Sequence, residues 1–125
     1  MLEMHINTTG ALDTYIQINT DASANQYLSQ TIIGNAGAVI SQALVDTAFP
    51  FNHASNTGVQ SGFFKITNIP GYTHSFVSSC ASGLYLTEAG GYHASITAEI
   101  NEIHVKASAN NFGIGTTITL YGMVG

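Results

Sequence analysis

Apolar residues in this chain recur at every second position in run after run, and each run stops at glycine, asparagine or proline. That period belongs to strands with one buried face, because successive side chains of an extended backbone point to opposite sides. Ile16 and Ile18 share one face, with Tyr15 and Gln17 on the other. Residues 27–33 alternate in the same way and run into Gly34-Asn35-Ala36-Gly37, a turn signal. Residues 63–69 and 73–81 read as strands separated by the breaker Pro70-Gly71. Residues 38–45 read either as the strand returning from the first turn or as a helix of about two turns, short enough to be marginal alone. Residues 46–62, with Phe49-Pro50-Phe51 at their base, read as the longest surface loop, and Gly90-Gly91 as a further turn.

The C-terminal third alternates most clearly. Ile96, Ala98 and Ile100 hold one phase, and Ile103 and Val105 the opposite one, so a strand over 94–106 needs a bulge near Asn101-Glu102. Residues 116–123 alternate again, with Ile118 and Leu120 expected inward and 100–106 as the pairing partner. About eight short strands at this spacing imply an all-β fold, a two-sheet antiparallel sandwich of jelly-roll-like kind. The length suits one domain over residues 1–125. Residues 1–7 are expected to form an arm whose Leu2, Met4 and Ile6 are candidates for a shell or subunit contact, adding a strand to the sheet edge of a neighbouring subunit.

Charge restricts the partners. Only 7% of residues are charged, against about 25% in an average globular domain. A free monomer usually stays soluble behind a mixed charged surface, so this composition points to a subunit lying against neighbours. Net charge is −5, and Lys65 and Lys106 are the only permanent cations. Nucleic-acid binding needs several phosphate-neutralising cations on one face, so no nucleic-acid partner is expected. The same shortage argues against an anionic membrane surface. Cys80 is the single cysteine, so no intrachain disulfide forms, and its strand context predicts a small buried apolar group. The opening Met1-Leu2-Glu3-Met4-His5 lacks the basic and apolar regions of a signal peptide, which leads us to expect synthesis in a cytoplasm.

Constellations that carry chemistry are sparse. His5, His53, His74, His93 and His104 show no metal-ligand spacing, so no metal or cofactor is expected. Glu88, Glu99 and Glu102 are the carboxylates open to glycoside chemistry, but no tryptophan is present to form a sugar platform. No Gly-x-Ser-x-Gly elbow occurs, and Gly113-Ile114-Gly115 precedes a strand where a phosphate cradle requires a helix. The expectation is a non-enzymatic protein. Glu102, His104 and Lys106 share one strand face and are candidates for a shell or subunit contact. Phe49, Phe51 and His53 in the long loop, with Tyr72, Tyr85 and Tyr92 beside turns, are candidates for an exposed recognition surface. Phe63, Phe64 and Phe76 are expected in the core.

The ending Ile100-Asn101-Glu102-Ile103, then Asn111-Phe112-Gly113-Ile114-Gly115-Thr116, then Leu120-Tyr121-Gly122, resembles a pattern of small phage virion proteins with jelly-roll-like domains. The resemblance covers about the last quarter of the chain. It implies a virion location, a homotrimer, and a capsid decoration (cement) protein that binds and stabilises the major capsid protein shell. The alternative it leaves open is a tail-fibre tip or receptor-binding module recognising a host glycan or protein.

Overall fold

The computed structural model describes residues 1–122 apart from 22, 24, 36, 57 and 96, and describes residues 53–56 by their backbone alone. Ten antiparallel strands are present among them, and no helix. They are β1 (Leu2–Asn7), β2 (Leu12–Ile18), β3 (Tyr27–Asn35), β4 (Ala38–Asp46) and β5 (Phe49–Asn56), followed by β6 (Val59–Ile66), β7 (Ser75–Ser82), β8 (Tyr85–His93), β9 (Ile103–Ala107) and β10 (Thr117–Leu120). A seven-stranded sheet runs β10-β1-β6-β7-β8-β3-β4, and a three-stranded sheet runs β5-β2-β9. The expected all-β sandwich is therefore present, with ten strands in place of about eight. The chain passes repeatedly from one sheet to the other, interrupted by the hairpin β3-β4 and the meander β6-β7-β8.

Alternation decides what lies between the sheets. Tyr27, Ser29, Thr31 and Ile33 of β3 point inward, as do Phe76, Ser78, Cys80 and Ser82 of β7. Tyr27, Phe49, Phe64 and Phe76 form one aromatic cluster, with Phe49 4.2 Å from Phe76 and 4.7 Å from Tyr27 between ring centroids. Offset and edge contacts of this kind add to the burial of the rings themselves. Toward the other end the interior turns polar. Thr14 Oγ1 donates to Gln60 Oε1 at 2.6 Å, and Gln60 Nε2 donates to Leu12 O at 3.1 Å. Cys80 is buried as expected, and burial pushes its thiol up to about 12.

Several expectations need correction. Residues 1–7 form no arm: Leu2, Met4 and Ile6 are buried in the core, in a strand held between β6 and β10. Residues 46–62 form no long loop. Phe49 and Phe51 are fully buried on β5, which pairs with β2 through two register shifts despite its polar end. Residues 38–46 are strand throughout, in unbroken register with β3. Gly90 and Gly91 lie inside β8, where a Cβ on Gly91 would run into the Leu28 carbonyl of β3. Only glycine lets the two backbones approach that closely.

The phase slip near Asn101-Glu102 is a loop end. Asn19 Oδ1 accepts from the Asn101 and Glu102 amides, its Nδ2 donates to Glu99 O, and Asn68 Oδ1 accepts from the Ile100 amide. Those side chains satisfy the backbone in place of a sheet partner, and β9 begins only at Ile103. Ile96, expected on that strand, lies outside the described residues. β10 pairs with β1, not with β9, and Ile118 and Leu120 are exposed although they stand opposite Met4 and Leu2. Phe63 is exposed as well, because it neighbours buried Phe64 and must face the other way.

Candidate functional site

The three-stranded sheet covers one face of its larger partner and leaves the opposite face bare. On that outer face, strand register builds rows of side chains. One row runs Phe63-Ser79-Glu88-Ile32-Ser41, and the next runs Lys65-Val77-Gly90-Gln30-Ala43. Gly90 places no side chain between Val77 and Gln30, so the surface dips there into a shallow dish of about 650 Å³. Phe63 and Ile32 stand at its sides, while Gln30, Ser79 and Glu88 supply polar groups. Ser79 Oγ donates to Glu88 Oε1 at 3.4 Å.

Charge is unevenly spread over this face. Glu3 and His5 occupy the β1 side, where Glu3 Oε2 accepts from Tyr121 Oη at 3.1 Å and His5 Nδ1 lies 2.7 Å from Ser61 Oγ. Across β7, β8, β3 and β4, the outward face carries Val77, Leu86, Tyr92, Ile32, Val39 and Val45, all about half exposed or more, interleaved with Ser79, Gln30 and Ser41, and Glu88 is its lone charge. A face with many exposed apolar side chains and almost no charge suits a contact surface.

The sequence candidates fall in four places. Leu2, Met4, Ile6, Phe49 and Phe51 are buried in the core of the chain itself. Glu102, His104 and Lys106 do share the outer side of the three-stranded sheet at its β9 edge. There His104 Nε2 lies 3.3 Å from Glu102 Oε2, and Lys106 Nζ donates to Gln17 Oε1 at 3.0 Å. Tyr72 and Tyr92 are exposed at one end of the large sheet, whereas Tyr85 keeps the inward phase of β8 at the opposite end. The tyrosines therefore form no single patch. The His53 side chain lies outside the described residues. Glu88 sits on the large sheet, while Glu99 and Glu102 lie in the loop before β9.

Sequence reasoning missed one buried polar cluster. His93 Nε2 lies 2.9 Å from Asp21 Oδ2, and His93 Nδ1 accepts from the Ser95 amide at 3.3 Å. Tyr27 packs edge-on against the His93 ring at 4.4 Å and donates its hydroxyl to Asp21 O at 2.6 Å. Burial pulls the His93 imidazole below its usual range, with Asp21 opposing that shift. Hydrogen bonding by Ser23 is the main cause holding the Asp21 carboxyl low, and His93 adds to it. Both imidazole nitrogens are engaged, so the pair acts as a strut that closes the β2–β3 connection onto β8. His93 lies far in sequence from Asp21 and Tyr27 with no motif linking them, which left no signal to find. Among the described residues no group of three or more His, Cys, Asp or Glu is placed to hold a metal. No family model matches this chain, and no curated protein or solved structure matches it either.

Proposed function

We propose that this chain is a non-enzymatic structural protein of a phage virion, a capsid decoration subunit that seats its bare sheet face on the major capsid protein. The bare, nearly uncharged outer face spanning β7, β8, β3 and β4 carries the reading. In a chain with so few charges, a face with this many exposed apolar side chains calls for a partner. The virion part rests on the ending from Asn111 to Gly122. Its residues have structural work here: Asn7 Nδ2 donates to Ile114 O, Gly113 N donates to Asn7 O, and Gly115 takes a positive φ of 88°. The ending thereby clamps β10 onto β1. Repetition over a shell lets modest contacts at each site hold the subunit.

The test is cosedimentation with capsid shells that lack the chain. Wild type should decorate them, and Phe63→Lys/Val77→Lys should not, while keeping its strand circular dichroism. Equal binding by both proteins would refute the reading. The dish itself supports a second reading, a receptor-binding module at a tail tip. Its polar Gln30, Ser79 and Glu88 around Val77 and Phe63 suit the mixed faces of a saccharide. On that reading Glu88→Ala lowers adsorption to host cells and leaves shell binding unchanged.

A further inference from the structure

Among the described residues the two sheets present four edge strands, and three of them are blunted. β5 carries Pro50 and breaks its register twice. β9 has five residues and bears His104 and Lys106. β10 has four residues. Short length, proline, bulges and charge are the devices by which proteins keep sheet edges from pairing with other chains. β4 has none of them. It runs nine residues in unbroken register, lacks proline, and carries no charge before Asp46.

The pairing geometry says which of its backbone groups are open. Asn35 pairs with Ala38 across a two-residue connection, which makes that pair a hydrogen-bonded one. Alternation then turns the amides and carbonyls of Ala38, Ile40, Gln42, Leu44 and Asp46 toward β3. Those of Val39, Ser41, Ala43 and Val45 point away from the sheet, and nothing among the described residues pairs with them.

We infer that β4 is a self-association edge, pairing antiparallel with β4 of a second copy about a two-fold axis through Gln42. This goes beyond the shell-binding reading and does not depend on it. Gln42 is the midpoint of β4, so this register alone pairs the strand over its full nine residues. It sets Ser41 opposite Ala43 and Val39 opposite Val45, so every outward amide and carbonyl finds a partner in hydrogen-bonded pairs. On the sandwich side Ile40 meets Leu44 of the second copy.

Charge agrees with this arrangement. Each Asp46 falls opposite an Ala38, at opposite ends of the seam, about 27 Å from its counterpart at strand rise. That separation exceeds the screening length of about 8 Å at physiological salt. A closed two-fold pair also uses up the open edge, whereas pairing β4 with four-residue β10 would leave much of it bare. The two seven-stranded sheets become one, and the bare outer faces lie side by side on it.

Sedimentation of the full chain should show a concentration-dependent dimer. Val39→Lys/Val45→Lys replaces each cross-strand valine pair with two lysines, and should weaken the dimer roughly 100-fold while the monomer stays folded. A register test keeps the inference falsifiable if that variant aggregates. Gln42→Cys on the dyad should form a covalent dimer under mild oxidation, and Ile40→Cys, which faces Leu44, should not. A wild type that sediments as a monomer at every concentration would overturn the inference. So would a dimer in which both cysteines cross-link equally.

Discussion

β1 and β4 are both rich in apolar residues and end up in opposite surroundings. β1 alternates apolar residues strictly, β4 carries them in two runs of three around Ser41-Gln42, and both belong to the same sheet. Met4 and Ile6 are completely buried, while Val39 is 75% and Ile40 56% exposed. Apolar content alone does not separate them. β1 lies under the three-stranded sheet and between two neighbours, and β4 lies beyond that cover with one neighbour. An alternating pattern announces that a strand has an apolar face. Whether the same chain buries that face depends on how far a second layer reaches.

The largest effects should come from the covered side. Phe49→Ala removes the ring at the centre of the aromatic cluster and should cost about 3–5 kcal/mol in urea unfolding. Ile6→Ala should cost about 2–5 kcal/mol, whereas Ile40→Ala, measured at a dilution where the chain is monomeric, should stay within about 0.5 kcal/mol. Equal losses at the two isoleucines would break the comparison. Gly91→Ala tests the close backbone approach between β8 and β3. It should destabilise by about 2 kcal/mol or more, while Gly122→Ala, whose Cβ meets open space, should be nearly neutral.

A smaller effect should follow pH. His93 binds protons less readily folded than unfolded, where its value is about 6.5. The unfolded chain therefore takes up the extra proton first, and stability falls as pH drops below about 6.5. Asp21 is shifted in the direction usual for a carboxylate, so its contribution is lost at still lower pH, beginning near 3.8. Urea midpoints at pH 7.5 and pH 5.5 should differ in wild type and converge in His93→Gln. The smallest change in stability should come from Val39→Lys, within about 0.5 kcal/mol for the monomer, with its effect visible only in sedimentation.

Much of the fold was legible because turn chemistry and alternation are local. β2, β3 and β7 stand close to where Ile16, Tyr27 and Phe76 place them, and the Gly34–Gly37 turn joins β3 to β4 as expected. Most of the errors share a cause, since they depend on a partner distant in sequence. Phe49 and Phe51 look like loop aromatics until β2 pairs beside them, and Leu2 looks free until β6 and β10 close around it. Phe63 was misplaced more simply, because adjacent residues of one strand cannot both face the core. The outer face was foreshadowed only by the shortage of charge. Its Val77, Glu88 and Ile32 come together by register across three strands, which no single run of sequence displays.

The placement of β1 also sets a schedule. Its partner β6 begins at Val59 and its other partner β10 at Thr117, so nothing local can complete it. At synthesis rates of about 5–20 residues per second, Leu2, Met4 and Ile6 wait roughly 3–12 s before β6 exists to receive them. Contacts between such distant segments also make for slow folding, because chain entropy is lost before pairing returns any energy. A strand whose Met4 and Ile6 are fully buried in the finished sheet is thus the one that waits longest for a partner while the chain is being made.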